Sequence, residues 1–447
     1  MKKKTTIGLV SLGCAKNAVD LQVMAGHLRK AGFVLAPHPD AADVVMVNTC
    51  AFIAAAREEA ESEILRACAL KRAGSCRAVV VAGCFVQRYG AKLAETFPEV
   101  DAFLGIDALD KVADVVKRLV SARRPAVKIP CGPPHKVFTP PEPALRFTGQ
   151  AFAYLKIAEG CAHRCSYCAI PEIRGSYRSR QLRDVLAEAR ELVATGVREL
   201  NIIAQDPMMY GVDLKPVRGR RQGLIDLLRA LDGLEGDFRV RVLYSYPSEI
   251  TDEFLAWLNT SPRALKYVAM PIQHTVPSVL RAMARGSAEQ ATLAAAERIR
   301  AAVPGVTLRT TVMTGFPGET ERDFRRMLAD IKRMKFDHLG AFAFSPEEGT
   351  VAAELDRQVP AGVAERRRQE IMRTQRSIWK TRARAFVGQI LPALVVAPGV
   401  ARLESQAPDV DGVTHLAPTG TPPAVGAVVN VRISAVKGFD LEGTPVP

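Results

Sequence analysis

The chain has 447 residues, of which 48% are hydrophobic and 24% charged, and its formal net charge is +14 at pH 7. This length exceeds one ordinary hydrophobic core, so it predicts two or three folded domains and excludes a disordered chain. No stretch reaches the roughly 18 uninterrupted apolar residues that a membrane span needs, which argues against a membrane protein. The positive charge favours an anionic partner such as RNA or a ribonucleoprotein particle.

Residues 1–125 alternate short β-branched runs with amphipathic stretches, which is the pattern of a parallel α/β domain. Each of its three predicted strands is followed within a few residues by a cysteine: Cys14, Cys50 or Cys84. Parallel strands end at one edge of a sheet, so these thiols should converge there. On spacing alone, a metal cluster and three unrelated buried cysteines are equally open. The strands are predicted at Thr5–Val10, Asp43–Val47 and Ala78–Ala82.

The basic start followed by an apolar run before Cys14 could also be interpreted as a lipoprotein signal, but the apolar run is short and fits a first strand. Without an export signal, we expect a cytoplasmic, reducing compartment. There, clustered cysteines are metal ligands or catalysts more often than disulfides.

A proline-rich stretch from Pro130 to Pro143 predicts a linker, placed at 126–146. Between 147 and 378, six predicted strands alternate with helices, which indicates a partial (βα)6 TIM-like barrel with its working residues at the strand C-terminal ends. The strands are predicted at Ala153–Ala158, Glu199–Ala204, Val240–Tyr246, Lys266–Pro271, Thr307–Thr314 and Leu339–Phe344.

The last segment, 379–447, has β-branched runs separated by Pro and Gly, which predict a small all-β domain. Ahead of it, 365–384 carries eight Lys or Arg side chains against two Glu. A solvated helix face and a contact with RNA both remain open for this segment.

The most specific motif is Cys161, Cys165 and Cys168, with the spacing C-x-x-x-C-x-x-C. A structural zinc site needs four ligands, whereas a [4Fe-4S] cluster held by three thiolates leaves one iron open. The alternative is a zinc site completed by His163 or a distant residue. Residues 160–168 resemble the cluster loop of the radical S-adenosylmethionine (SAM) enzymes, with Tyr167 as an aromatic shield.

That resemblance implies that the open iron chelates SAM and that the reduced cluster cleaves it to methionine and a 5′-deoxyadenosyl radical. Such a radical is needed where the target C–H bond is too inert for a side-chain base.

Further motifs extend the resemblance over nearly the whole chain, to the radical SAM methylthiotransferases. They are Ser-Leu-Gly-Cys-Ala-Lys-Asn at 11–17, Asn-Thr-Cys-Ala-Phe at 48–52, Ala-Gly-Cys at 82–84, Ile-Pro-Glu-Ile-Arg-Gly-Ser-Tyr-Arg-Ser-Arg at 170–180 and Gly-Phe-Pro-Gly-Glu-Thr at 315–320. The family implies an auxiliary [4Fe-4S] cluster on Cys14, Cys50 and Cys84, whose free iron carries the sulfur to be transferred.

Gly315, Gly318 and Glu319 follow a predicted strand, where the family places the SAM site, although a simple tight turn explains them as well. Gln273 and His274 are weaker candidates still, because a satisfied core histidine is as common as a site residue.

Two branches of the family differ in substrate: an adenosine of tRNA, or the β-carbon of an aspartate in the twelfth small-subunit ribosomal protein. The C-terminal module corresponds to the family's TRAM domain, which should be basic in the tRNA branch because phosphate contacts dominate RNA affinity. Here residues 388–447 hold three basic and five acidic side chains. Glu404, Asp409 and Asp411 suit a basic protein loop better, so we predict that they bind substrate.

The prediction is therefore an enzyme of the ribosomal-protein branch that uses two SAM molecules per turnover, with an electron donor such as flavodoxin and rRNA contacts through 365–384. The alternatives are the tRNA branch and, more remotely, a zinc or iron–sulfur nucleic-acid-binding protein, which metal content would distinguish.

Overall fold

The computed structural model describes residues 4–121, 127–128, 131–142, 145–147, 151–217, 219–285, 289–418 and 421–446. The chain divides into two compact units. The first unit comprises Met1–Phe147, Lys156–Arg164 and Cys168–Glu188, and the second comprises Thr148–Leu155, Cys165–Tyr167 and Ala189–Pro447.

The N-terminal part of the first unit is a six-stranded parallel sheet with helices on both faces, which confirms the predicted α/β domain. Its strands are β1 (Thr6–Ser11), β2 (Val34–Leu35), β3 (Val44–Thr49), β4 (Ala78–Gly83), β5 (Ala102–Leu104) and β6 (Val127–Lys128). Its helices are α1 (Ala15–Lys30), α2 (Ala54–Arg72), α3 (Cys84–Thr96) and α4 (Val112–Val120). The strand order is β2-β1-β3-β4-β5-β6.

Strands β3 and β4 are buried along their whole length, as expected for a parallel sheet covered on both faces. Alternate residues serve opposite cores: Val45 and Val79 face one apolar cluster, and Val44 and Val80 face the other. Two cysteines outside the triads, Cys68 and Cys76, are buried in the first cluster, so their packing alone accounts for them.

Where it is described, the predicted linker is part of the first unit and is tied to it by polar contacts. The Lys136 ammonium lies 2.9 Å from the Asp110 carboxylate, and the His135 backbone N–H donates to Asp107 at 2.7 Å. Both predicted limits, Pro130 and Pro143, lie outside the described residues.

In the residues that the structure describes, the central region contains eight strands and seven α-helices. The strands are β7 (Phe152–Lys156), β8 (Ala158–Glu159), β9 (Arg178–Ser179), β10 (Glu199–Ile203), β11 (Arg239–Val242), β12 (Tyr267–Ala269), β13 (Thr307–Thr314) and β14 (His338–Ala343). The helices are α5 (Ile170–Arg174), α6 (Leu182–Ala194), α7 (Leu224–Asp232), α8 (Asp252–Thr260), α9 (Pro277–Ala282), α10 (Glu289–Ala302) and α11 (Glu321–Met334).

Six of these strands follow one another in two sheets, β7-β10-β11 and β12-β13-β14. A parallel bridge between Val240 and Ala264 extends the first sheet toward the second, so the predicted partial barrel is confirmed. Strand β11 ends at Val242, earlier than predicted, because Tyr244 has a φ of 72° and leaves the extended conformation. In the first unit, β8 and β9 pair as an antiparallel ladder.

The C-terminal part of the second unit is helix α12 (Ala361–Ala383) followed by a closed five-stranded barrel, which confirms the small all-β domain. The strands are β15 (Ile390–Ala397), β16 (Val400–Leu403), β17 (Thr414–Leu416), β18 (Val428–Lys437) and β19 (Asp440–Val446). The sequence pattern does not predict two of them, β16 and β19, because polar and glycine residues interrupt their apolar runs.

Trp379 of α12 packs in the barrel core with Val395 and Val431, so the helix runs through the boundary that we placed at 378/379. The domain boundaries stay a prediction. No helix in the described part of the chain has both the length and the apolar character needed to cross a bilayer.

Candidate active site

The first cysteine triad lies at one edge of the N-terminal sheet. Cys14 precedes α1, Cys50 follows β3, and Cys84 opens α3. Strands β1, β3 and β4 are adjacent, parallel and in register, so their ends coincide. Gly13 has a φ of 90°, and a Cβ there would lie 2.8 Å from the Cβ of Cys50. Only glycine permits that close approach at a left-handed backbone position.

Asn17 connects the thiols of this triad. Its side-chain oxygen accepts from the Cys14 thiol at 3.5 Å, from the Cys84 thiol at 3.8 Å and from the Arg174 guanidinium at 3.0 Å. Its amide nitrogen donates to the carbonyl of Thr49, the residue before Cys50, at 2.8 Å. One buried amide therefore fixes the surroundings of all three cysteines.

Arg174 approaches the same triad from α5. Its guanidinium donates to the Cys84 sulfur at 3.0 Å and forms ion pairs with Asp20 at 2.8 Å and Glu159 at 3.1 Å. Lys156 completes the network through Asp20 at 2.6 Å and Glu159 at 2.8 Å. All four charged side chains are nearly inaccessible to solvent.

Burial raises the pKa of the Cys84 thiol to about 12, against the lowering effect of Arg174. Burial likewise raises the pKa of Cys50. Without a metal both thiols are therefore protonated at neutral pH, and they become ligands only when a metal displaces the proton.

The donor chemistry of this triad fits an iron–sulfur cluster. Among the described residues, no three His, Cys, Asp or Glu side chains are gathered closely enough to hold one metal ion. A cubane cluster does not require such gathering, because each cysteine binds a different iron. Three thiols at one edge, with a cation beside them, match an anionic cluster with three protein ligands. The ligand assignment of the six cysteines stays a prediction.

The second triad begins directly after β8. Gly160 has a φ of 76°, and a Cβ there would lie 2.1 Å from the carbonyl oxygen of Ser176. The Cys161 backbone N–H donates to the carbonyl of Gly175 at 3.2 Å. Segment 170–175 thus contacts both triads, with the Arg174 side chain at Cys84 and the Gly175 carbonyl at Cys161.

Lys16 is a further buried cation between these two loops. It interacts electrostatically with the thiols of Cys14 and Cys161, and burial lowers the pKa of its ammonium. The first unit therefore brings Cys161 of the second triad near Cys14 and Cys84 of the first.

In the second unit, Arg285 contacts the middle of the cysteine loop. Its guanidinium lies 3.6 Å from the Cys165 sulfur and 3.4 Å from the Tyr167 hydroxyl, and it donates to the Pro271 carbonyl at 2.8 Å. It also stacks over the ring of Tyr246, 4.0 Å from the centroid. Sequence reasoning missed Arg285, since nothing in its local sequence distinguishes it from other arginines.

Buried side chains stabilise the turn at Gly315. Glu319 is fully buried and accepts from the Gly315 backbone N–H at 2.8 Å and from Arg367 of α12 at 2.8 Å. A Cβ on Gly315 would lie 2.2 Å from the Cβ of Ala364. Gly318 is also left-handed, with a φ of 82°. These contacts give Glu319 a supporting position under the turn, and its role near SAM stays a prediction.

His274 faces the same carboxylate. Its Nδ1 accepts from the Val276 backbone N–H at 3.0 Å, so the neutral ring carries its proton on Nε2, which lies 3.7 Å from Glu319. The adjacent Gln273 has a φ of 65°. His274 is fully buried, whereas Gln273 is partly exposed.

The three predicted substrate carboxylates do not form one open acidic patch. The Asp411 side chain is fully buried, with Arg309 at 2.6 Å and the Tyr267 hydroxyl at 2.6 Å. Asp409 accepts from the Tyr154 hydroxyl at 2.5 Å, and Glu404 accepts from the Lys266 backbone N–H at 2.5 Å. Asp411 is therefore corrected to an internal ion-pair partner. The other two are exposed, and their role in substrate binding stays a prediction.

Three family models match successive parts of the chain. Residues 6–105 match the model described as uncharacterized protein family UPF0004, residues 155–331 match the radical SAM superfamily, and residues 387–446 match the TRAM domain.

Among solved structures, the radical S-adenosylmethionine methyltransferase TsrM from Kitasatospora setae, with cobalamin and a [4Fe-4S] cluster bound, superposes with a TM-score of 0.55 at 16% identity. The match covers 89% of this chain and 77% of TsrM. At this identity the likeness shows the fold alone.

Curated relatives match at far higher identity. The ribosomal protein uS12 methylthiotransferase RimO of Syntrophus aciditrophicus is 41% identical over 456 residues, with 98% of each chain covered. That of Moorella thermoacetica is 42% identical over 428 residues, with 96% of each chain covered. With both cysteine triads at the expected strand ends and this likeness over its full length, the chain belongs to the RimO family of radical SAM methylthiotransferases.

Proposed function

We propose that this enzyme inserts a methylthio group at the β-carbon of an aspartate of ribosomal protein uS12. The observation that supports it most is segment 170–175, which contacts Cys84 of one triad and Cys161 of the other. A reaction that joins a radical made at one cluster to sulfur held at another needs two sites held in a fixed relation. The choice of uS12 as the substrate is inferred from the relatives named above, which are uS12 methylthiotransferases.

Cys161, Cys165 and Cys168 would hold the cluster that, when bound, would supply the electron for SAM cleavage and so give the enzyme its radical chemistry. The protein's own contribution is positioning. Asn17 orients Cys14 and Cys84, Arg285 fixes Cys165 and Tyr167, and Glu319 supports the glycine turn.

The substrate is tested with anaerobically reconstituted enzyme, SAM, sulfide and reductant, offered uS12 and tRNA together. Mass spectrometry of uS12 and of tRNA nucleosides is the measurement. A methylthio group on a uS12 aspartate supports the proposal, whereas a methylthio group on tRNA adenosine alone overturns it. Aspartate deuterated at the β-carbon adds a second readout, because deuterium should appear in 5′-deoxyadenosine.

We also propose that rRNA near uS12 contacts α12. The side chains exposed along the helix and just past its end form a basic stripe of Arg366, Arg373, Arg376, Lys380 and Arg384. Neither Arg373 nor Lys380 has a carboxylate partner among the described residues, so both charges are available to phosphates. An electron donor such as flavodoxin and a cytoplasmic location complete the proposal, since SAM cleavage needs a reductant and the substrate is ribosomal.

The RNA contact is tested by the double variant Arg373→Ala/Lys380→Ala. It should weaken binding to an rRNA duplex and lower the salt slope by about 2. The control is Lys117→Ala/Arg118→Ala, which removes two exposed cations from α4. Equal weakening in both variants would contradict a specific contact, and activity on free uS12 should be unchanged in both.

A further inference from the structure

A buried network of ion pairs lies beside the first triad. Lys156 and Arg174 each pair with both Asp20 and Glu159, as described above. All four side chains lie in an interior that water hardly reaches, where charges interact strongly.

Arg174 is a cation of this network that contacts the triad. Its Nη2 atom lies 3.0 Å from the Cys84 sulfur and 3.0 Å from the Asn17 oxygen, while Asp20 and Glu159 hold the other side of the guanidinium. The planar group is thus fixed by four partners and cannot turn away.

Three thiolates give a cluster a net negative charge, and added sulfide increases it. A fixed cation near cluster sulfur stabilises the more negative state, which is the reduced one. Hydrogen bonds to ligand sulfur act in the same direction. Both effects depend on low local dielectric, and Arg174 is 2% exposed.

We propose that Arg174, held by Asp20 and Glu159, is the electrostatic anchor of the auxiliary cluster and sets its reduction potential. Asn17 helps to fix the guanidinium, because its side-chain oxygen accepts from Arg174 at 3.0 Å. This inference rests on the assignment of the auxiliary triad but not on the identity of the substrate, so a different substrate would leave it standing.

The test uses the full chain with Cys161, Cys165 and Cys168 all replaced by Ala, so that only the auxiliary cluster is assembled. Iron and sulfide are counted per chain, and the midpoint potential is measured by redox titration followed by electron paramagnetic resonance. Arg174→Gln should lower the ratio of reduced to oxidised cluster about 10-fold at a fixed potential, a shift of about 59 mV to more negative values for one electron. Arg174→Lys keeps the positive charge, so its midpoint potential should lie close to that of the parent chain.

A variant that should shift the reduction potential in the opposite direction provides the decisive comparison. Asp20→Asn removes a negative charge and leaves Arg174 less compensated, so the potential should move to less negative values. A merely structural role would not reverse direction between the two variants. Arg183→Gln is the control, since this arginine is 86% exposed and pairs only with Asp184 among the described residues.

An unchanged potential in Arg174→Gln with full iron content would overturn the proposal. If Arg174→Gln assembles no cluster, Arg174→Lys and Asp20→Asn decide, and a shift of the same sign in both, or none in Asp20→Asn, overturns it as well. If the triple-Ala chain never assembles a cluster, the auxiliary triad itself is wrong, and the proposed function fails with it.

Discussion

At the scale of single residues, the glycines that precede Cys14 and Cys161 show how backbone conformation determines the path of the cysteine loops. Gly13 and Gly160 are both left-handed, and each stands where an added Cβ would collide with a neighbouring segment. The collision at Gly160 is with backbone, which cannot move aside as a flexible side chain could. Close approach, and not flexibility, is therefore why the cysteine loops begin with glycine.

Gly160→Ala should disrupt the second triad. The new Cβ would lie 2.1 Å from the Ser176 carbonyl oxygen, so the cysteine loop or the segment just before β9 must shift. We expect a loss of about 2–4 kcal/mol in the free energy of unfolding and loss of SAM cleavage. Denaturant unfolding and 5′-deoxyadenosine formation are the measurements.

Gly196→Ala is the matched control for that variant. Its φ is also left-handed, at 89°, but nothing lies within 4 Å of the added Cβ. Gly196→Ala should lower the free energy of unfolding by only about 1 kcal/mol and leave SAM cleavage intact. Similar losses in the two variants would show that left-handed strain, and not the collision, accounts for the effect.

The two triads should separate in function when single cysteines are replaced. Cys165→Ala should abolish SAM cleavage, because it removes a proposed ligand of the SAM-cleaving cluster. Cys50→Ala should leave cleavage intact and stop sulfur insertion. Methionine release and the mass of uS12 distinguish the two, and full methylthio product from either variant would refute the role of that triad.

At the scale of secondary-structure elements, α12 has two faces with different partners. Arg367 reaches Glu319 under the glycine turn, and Trp379, three turns later, fills the core of the C-terminal barrel. The helix therefore couples a turn of the radical SAM region to the TRAM domain within the second unit. Its exposed face is left for the basic stripe.

Trp379→Ala should destabilise the second unit by about 3–5 kcal/mol, because it leaves a cavity in a small core. The Nε1 of this tryptophan has no hydrogen-bond partner among the described residues. Trp379→Phe removes that unsatisfied donor and keeps most of the ring, so it should cost less than about 1.5 kcal/mol. Denaturant unfolding is the measurement. If Trp379→Ala and Trp379→Phe lowered the free energy of unfolding equally, the indole would contribute something other than packing.

At the scale of the whole molecule, family membership confirms a methylthiotransferase that uses SAM and two [4Fe-4S] clusters. Within the second unit, the C-terminal barrel is joined to the rest by buried ion pairs. Glu199 of β10 binds Arg402 at 3.0 Å and Arg241 at 3.0 Å, and Asp411 binds Arg309. Of the acids of the TRAM region, Asp411 is used in this internal pairing and is therefore not part of an open acidic patch.

Glu199→Gln tests this cohesion through its pH dependence. Burial alone would raise the pKa of Glu199, but Arg241 and Arg402 bring it below the usual 4.5. The ion pairs therefore stabilise the fold fully above pH 4.5 and are lost as the pH falls through the lowered value. The variant should unfold about 3 kcal/mol more easily at pH 7.

Below pH 4.5 the difference between the two proteins should shrink, because Glu199 becomes neutral in the parent as well. Denaturant unfolding of the cluster-free proteins from pH 3 to pH 7 is the measurement. A difference that stays constant over this range would contradict the role of the Glu199 charge.

The α/β domain, the partial barrel, the all-β module and the two cysteine triads can all be predicted from the sequence. Each depends on local information: the period of apolar residues, the punctuation by Gly and Pro, and a fixed spacing of thiols. The strand at Thr307–Thr314 was predicted to the residue for that reason.

The polar and charged residues that serve the sites, in contrast, become visible only once the chain is folded. Arg174, Arg285 and Asn17 meet cysteine loops that are distant in sequence, and Asp411 is drawn inside by Arg309. A charge has no periodicity, so its partner and its burial depend on how separate segments fold together. The sequence shows that an arginine is present, and the fold determines whether it faces water, a carboxylate or a sulfur atom.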